Sequence, residues 1–244
     1  ARPEAADAEA LEARVGALAT QAVAALEAAG LTAACAESLT GGLIAGALTA
    51  VPGSSAVVRG GVVSYAAEAK RDVLGVSSRA LDEAGVVSEP VARQMAEGAR
   101  ERLRADVAVA VTGIAGPGGA EPGKPVGTVW MAVAEAEGSA ARLFCFEGDR
   151  QAVRLQTVTE ALIALRRTAE GRAPFCGRGA ATRRSRGAGA PPPGATEAPG
   201  PCAALDGTLP PRRAHADERP QGPPRVMRRG GFRDVSENPL DVQT

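Results

Sequence analysis

Apolar positions recur at helical spacing over residues 5–29, where Leu11, Val15, Leu18, Ala22 and Leu26 form one stripe and Gly30 supplies a stop. This predicts one long amphipathic helix. The period then changes. Thr32 to Ala36 is a small apolar run of strand length, and helical spacing resumes after Gly41-Gly42 with Leu43, Ile44, Ala47 and Leu48, up to the turn signal Val51-Pro52-Gly53. Ser54 to Tyr65 reads as extended, and Gly60-Gly61 inside it suggests a bulge or a close approach by a ligand. Ala66 to Leu74 reads as a helix stopped by Gly75, and Ser77 caps a short helix through Leu81 to Ala84. Ser88-Glu89-Pro90 combines a cap, an acid and a first-turn proline, opening a helix to about Arg104 with Val91, Met95, Ala99 and Leu103 as its buried stripe. Val107 to Val111 is an unbroken apolar run, the mark of a buried strand, and leads into the glycine-rich loop Thr112 to Gly119. Val126 to Ala134 and Arg142 to Glu147 read as strands joined by a turn at Glu137-Gly138-Ser139. Gly148-Asp149-Arg150 opens a last helix carrying Val153, Val158, Ala161, Leu162 and Leu165.

Alternating helices and buried strands followed by a hairpin predict an α/β fold, a three-layer α/β/α domain with a mixed, mostly parallel sheet over residues 5–170. Ligands in such sheets bind beyond the carboxyl ends of strands. Two loops with glycines and hydroxyls leave strand ends here, Glu37 to Gly42 and Thr112 to Gly119, and both are expected to line one cleft. Beyond residue 171 the pattern stops. Proline and glycine make up about 30% of that segment, arginine is abundant and lysine absent, so residues 171–244 read as a disordered tail.

Composition narrows the chemistry. Aromatics are 2% of the chain, so the core must be built from Ala, Val, Leu and Ile. The formal net charge of zero divides unevenly: residues 1–171 hold 16 Lys+Arg against 21 Asp+Glu, and the remainder 12 against 7. An acidic folded part argues against nucleic-acid binding, except through the arginine-rich tail. The four cysteines, Cys35, Cys145, Cys176 and Cys202, form no C-x-x-C pair and suggest buried thiols in a reduced, cytoplasmic protein. Neither a membrane-spanning run nor a signal-peptide pattern is present, and no metal or cofactor is expected. The single histidine, His215, lies in the tail, so acid–base chemistry in residues 1–171 falls to Lys, Tyr, Asp, Glu, Ser or Thr.

Ser38 stands at a strand-to-helix corner, where free N–H groups favour developing negative charge. It is a candidate nucleophile; the plainer alternative is that Ser38 or Thr40 only caps the helix. A serine needs a base, and the ordered part offers only Lys70 and Lys124. Lys70 follows Tyr65 by five residues, so a desolvated Lys70 could be the base and Tyr65 a relay or an orienting group; a solvent-facing lysine is the ordinary alternative. Thr112 and Gly113 could bind phosphate through backbone N–H groups or form a mere surface turn, and the loop matches neither a P-loop nor a dinucleotide fingerprint. Arg150 could hold a phosphate or carboxylate, or pair with surface acids.

In combination the motifs are specific. Ala36-Glu37-Ser38-Leu39-Thr40-Gly41-Gly42, Pro52-Gly53-Ser54-Ser55, Gly61-Val62-Val63-Ser64-Tyr65 with Lys70, Val87-Ser88-Glu89-Pro90, Thr112 to Gly119, Lys124 to Val129 and Gly148-Asp149-Arg150 resemble, in this order, the CinA C-terminal domain family. The resemblance spans roughly residues 8–168, and is to the stand-alone form without a separate N-terminal domain. It implies a nicotinamide-nucleotide amidohydrolase that converts nicotinamide mononucleotide to nicotinic acid mononucleotide and ammonia, and a protein that self-associates. It also implies Ser38, Lys70 and Tyr65 as catalytic residues, with Thr112 in the site. Glu37, Thr40, Gly41, Gly42, Gly113, Gly116 and Arg150 complete the expected substrate-binding set. The alternatives are a Lys70-activated water with Ser38 binding the amide, and a nucleotide-binding module without turnover.

Overall fold

The computed structural model describes residues 3–175 and 184–185. In chain order it runs α1 (Pro3–Ala29), β1 (Ala33–Glu37), α2 (Leu43–Thr49), a 3-10 turn (Ser54–Ala56), β2 (Val58–Val63), α3 (Ala67–Leu74) and α4 (Ser78–Ala84). It continues with α5 (Glu89–Arg102), β3 (Val107–Gly113), β4 (Thr128–Glu135), β5 (Gly138–Cys145), α6 (Arg150–Ala169) and β6 (Arg184–Ser185). The sheet order is β2-β1-β3-β4-β5-β6. β1 pairs in parallel with β2 and β3, whereas β4, β5 and β6 add antiparallel neighbours, so antiparallel pairings are the more numerous.

Each sheet face is covered by its own apolar layer. Leu18, Ala22 and Leu26 of α1 pack with Ile44 and Leu48 of α2 and Val158, Leu162 and Leu165 of α6 on one face. Leu74 of α3, Ala80 of α4 and Val91, Met95, Ala96 and Ala99 of α5 cover the other. Alternation along the central strands explains the division. In β3, Val107, Val109 and Val111 face the first layer, while Ala108 and Ala110 face the second. Alanines on that second face let α5 lie close to the sheet.

Close approach also fixes α3. A Cβ on Gly98 of α5 would overlap the Leu74 carbonyl at the end of α3. Gly61 of β2 is crowded in a similar way: a Cβ there would lie 2.7 Å from the Cys35 sulfur. Gly61 therefore serves strand packing and Gly60, at φ +140°, the backbone path, and the β1–β2 register shifts between Ala33 and Ala34, as a bulge requires. No ligand is needed to explain it.

Three local expectations change. β5 begins at Gly138, earlier than Arg142, because Ala136-Glu137 form a tight turn that pairs Glu135 with Gly138. Ser88 precedes α5 but does not cap it; its hydroxyl donates to the Gly85 carbonyl at 2.7 Å. Arg184–Ser185, within the predicted tail, pair with Ser139 and Gly138, so these two residues are strand. The rest of the tail beyond residue 175, with His215, Cys176 and Cys202, lies outside the described residues.

The expectation of four buried thiols is corrected at Cys145, which is exposed at the end of β5 and disulfide-bonded, whereas Cys35 is a free buried thiol. Among the described residues no helix is long and apolar enough to cross a membrane. Gly98→Ala should lower stability by about 1–3 kcal/mol in urea melts, since the added methyl forces α3 and α5 apart.

Candidate active site

Ser38 follows the last residue of β1, and its N–H donates to Val111 of β3 at 3.1 Å. This bond anchors the residue at the carboxyl end of the parallel strands, where the topology leaves a crevice. Next to it runs the segment leaving β2, since the Ser64 N–H donates to the Glu37 carbonyl at 2.8 Å. The chain then turns into α3, whose buried face carries Lys70 and Leu74, one helical turn apart. Lys70 is thus drawn inward with Leu74 and is only 2% exposed, the reverse of the usual solvent-facing lysine.

The Lys70 amine has three neighbours. Its Nζ lies 3.1 Å from Ser38 Oγ, 2.6 Å from the Ser64 carbonyl and 3.3 Å from the Tyr65 carbonyl. Burial lowers its pKa from 10.5 to about 8. About a tenth of the protein therefore holds a neutral amine at pH 7. A neutral amine has two N–H bonds and one lone pair. With the two carbonyls accepting both N–H bonds, the lone pair is left for the Ser38 hydroxyl proton. Ser38 is itself buried, at 8% exposed.

Tyr65 takes a different position from the expected relay. It is 64% exposed, its main-chain carbonyl meets Lys70, and its phenol oxygen lies 3.4 Å from Arg150 Nη2. Arg150, in the first turn of α6, also donates to the Gly116 carbonyl at 2.9 Å. Arg150 and the glycine loop thus meet, bordering a cavity of about 440 Å³ lined by Ala115, Pro117, Val126, Asp149, Arg150 and Arg154 among others. Asp149 caps α6 by accepting from the Ala152 N–H at 2.8 Å.

Several expected substrate contacts are internal instead. Glu37 is fully buried; its Oε2 accepts from the Gly42 and Ile44 N–H groups at 3.0 and 3.1 Å, and its Oε1 from Ala45 at 2.9 Å. The carboxylate therefore caps α2, the role that Ser38 and Thr40 would have had in the plainer reading. The neighbouring Cys35 thiol has its pKa raised by burial and then by the charge of Glu37. The Thr112 hydroxyl donates to the Val86 carbonyl at 2.7 Å and so ties β3 to the segment before α5. Gly113 is needed for packing, because a Cβ there would lie 2.6 Å from the Thr128 carbonyl. Gly41 and Gly42 both have positive φ, +61° and +100°, which lets the loop turn into α2. Thr40 is fully buried, and its carbonyl accepts from Arg154 Nη2 at 2.9 Å.

Arg154 and Ser64 are the two residues the sequence reading did not single out. Arg154 follows Arg150 by four residues on one helix, a spacing that puts both on the same face. Its Nε also donates to the Leu39 carbonyl at 3.1 Å. Ser64 supplies the shortest contact to Lys70, but through its backbone, which no side-chain pattern advertises. Lys124, the other lysine, donates to the Ala84 carbonyl at 3.4 Å and pairs with Glu121. Among the described residues no group of three or more His, Cys, Asp or Glu side chains could hold a metal ion.

The lowered pKa of Lys70 has a signature in stability. Between pH about 8 and 10.5 the folded protein has released the Lys70 proton while the unfolded chain retains it. The unfolded state binds more protons there, so this group's contribution to stability rises with pH and levels off above 10.5. The stability difference between wild type and Lys70→Met, from urea melts across that window, should move in favour of wild type by up to about 3 kcal/mol.

Residues 15–169 match the model of the CinA C-terminal domain. A CinA-like protein of Mycolicibacterium gilvum is 54% identical over 157 residues, which are 64% of this chain and 37% of that protein. A CinA-like protein of Geobacter metallireducens is 52% identical over 138 residues, 57% of this chain and 33% of that protein. The chain thus spans about a third of the length of these curated relatives. The competence/damage inducible protein CihA of Agrobacterium tumefaciens superposes with a TM-score of 0.60 at 48% identity, over 62% of this chain and 95% of that one. A competence-damaged protein (CinA) superfamily protein of Klebsiella pneumoniae gives 0.63 at 38% identity, over 64% and 98%. With its family model covering residues 15–169, the chain belongs to the CinA C-terminal domain family.

Proposed function

We propose that this domain is an amidohydrolase that uses Ser38 as nucleophile and Lys70 as general base, and that its substrate is the carboxamide of nicotinamide mononucleotide. The observation that carries the reading is the buried amine with a pKa of about 8, 3.1 Å from a serine hydroxyl. Neutral Lys70 takes the Ser38 proton as Oγ attacks the carboxamide carbon. The resulting ammonium returns that proton to the amide nitrogen, the C–N bond breaks and ammonia leaves. Water then attacks the acyl ester, giving its proton to Lys70, Ser38 recovers that proton as the C–O bond breaks, and the carboxylic acid product departs and loses its own proton to solvent.

Arg150, exposed beside the 440 Å³ cavity, supports a phosphate subsite next to this centre. Its guanidinium is already oriented by the Gly116 carbonyl and the Tyr65 phenol, so little freedom is lost on binding an anion. Tyr65 is assigned here to orienting Arg150 and covering the cleft. The Tyr65 carbonyl, rather than its phenol, serves Lys70.

The test is ammonia release from nicotinamide mononucleotide. Ser38→Ala should lower kcat by about three orders of magnitude or more; near-wild-type turnover would remove the nucleophile assignment. The kcat/KM profile should rise about tenfold per pH unit and level off above about 8, as Lys70 loses its proton. Arg150→Ala should raise KM for the mononucleotide about tenfold and leave kinetics on the phosphate-free riboside nearly unchanged. Tight binding of the mononucleotide with no ammonia released by wild type would favour a binding module instead.

A further inference from the structure

We propose that Arg154 is a positioning residue for the oxyanion of the reaction, acting through two peptide groups on the N–H of Leu39. The inference rests on the Ser38 acyl-transfer reading above. Two N–H groups of the turn are already engaged: Gly42 donates to Glu37 and Gly41 to the Ser38 carbonyl at 3.2 Å. The Ser38 N–H donates to Val111. The Leu39 and Thr40 N–H groups have no acceptor among the described residues, and Leu39 is the residue after the nucleophile. An oxyanion donor in acyl transfer commonly comes from that position.

The route from Arg154 to that N–H is continuous. Arg154 Nη2 donates to the Thr40 carbonyl at 2.9 Å. That carbonyl shares a planar trans peptide with the Gly41 N–H, which points the opposite way. The Gly41 N–H donates to the Ser38 carbonyl, and that carbonyl shares its peptide with the Leu39 N–H. Each plane is thus held by one hydrogen bond from the plane before it. A second Arg154 bond, Nε to the Leu39 carbonyl at 3.1 Å, pins the intervening peptide. The loop from Ser38 to Gly41 cannot rotate a peptide plane without breaking one of these bonds.

The electrostatics run in the same direction. A peptide dipole is positive at N–H and negative at C=O. The guanidinium faces the negative end of the first dipole, whose positive end faces the negative end of the second. The positive end of the second is the Leu39 N–H. A fixed cation behind two aligned dipoles makes that N–H a stronger donor to the negative oxygen that forms when Ser38 attacks. The carboxamide oxygen gains this charge only during attack, so the benefit belongs to the transition state and appears in kcat. Arg154 also borders the cavity assigned to phosphate, and a phosphate-binding role would appear in KM instead.

The experiment compares wild type, Arg154→Lys, Arg154→Gln and Arg154→Met on nicotinamide mononucleotide, with Tm and the pH profile measured for each. The expected result is a kcat loss of about 10- to 100-fold in Arg154→Met, with KM within threefold of wild type and the inflection near pH 8 unmoved. Arg154→Lys keeps the charge and should recover more of kcat than the neutral Arg154→Gln. Unchanged kcat in Arg154→Met, a loss confined to KM, or equal activity of the Lys and Gln variants overturns the proposal while leaving the Ser38 reading intact. If Arg154→Met does not fold, the Lys and Gln pair decides. Absence of ammonia release by wild type overturns the parent reading and this inference together.

Discussion

An amine buried without a carboxylate beside it is the constraint on which the site depends. Lys70 is 2% exposed, and its contacts are two backbone carbonyls and one hydroxyl. A neighbouring carboxylate would hold the proton on the amine at neutral pH, and full exposure would do the same. Burial among neutral acceptors lets the proton leave near pH 8. The two carbonyls also set its direction, because they engage the N–H bonds and turn the remaining lone pair toward Ser38. This arrangement costs stability whenever the amine is charged, which is why a lysine here asks for a functional explanation.

The fold supplies the geometry from two sides. Lys70 reaches the carboxyl end of β1 from the α3–α5 layer, while Arg150 and Arg154 arrive from α6 in the opposite layer. The parallel strands bring Ser38 and Ser64 side by side, since Glu37 is in register with Val63. Beneath the loop, Glu37 satisfies three N–H groups at the start of α2. The charged groups therefore divide the work: one carboxylate shapes the turn from below, one guanidinium braces its carbonyls, and one amine meets its serine.

Much of this was legible beforehand. The α/β layers, the strand-to-helix corner at Ser38 and the absence of histidine from residues 1–171 follow from periodicity and composition, and together they direct attention to Lys70. What stayed hidden has a common physical cause. Glu37 and Thr112 look like ligand contacts in a motif, yet each satisfies a backbone group, and the partner of a side chain in a loop is set by tertiary packing. Tyr65 contributes its carbonyl to Lys70, and a backbone contribution carries no residue-type signal. Arg154 was readable only as the same-face neighbour of Arg150, four residues on, once the helix was known to face the loop. β5 starts earlier than its sequence pattern indicates because Ala136-Glu137 lack the glycine or asparagine that marks tight hairpin turns.

The most direct test is the titration of the amine itself. The chain has two lysines, Lys70 and Lys124, so NMR of lysine side chains labelled at Cε and Nζ gives two resonances, and Lys70→Met assigns them by deletion. The account predicts that the Lys70 resonance titrates with a midpoint near 8. A midpoint near the ordinary 10.5 would contradict it, because Lys70 would then be charged throughout the neutral range and unable to take a proton from Ser38.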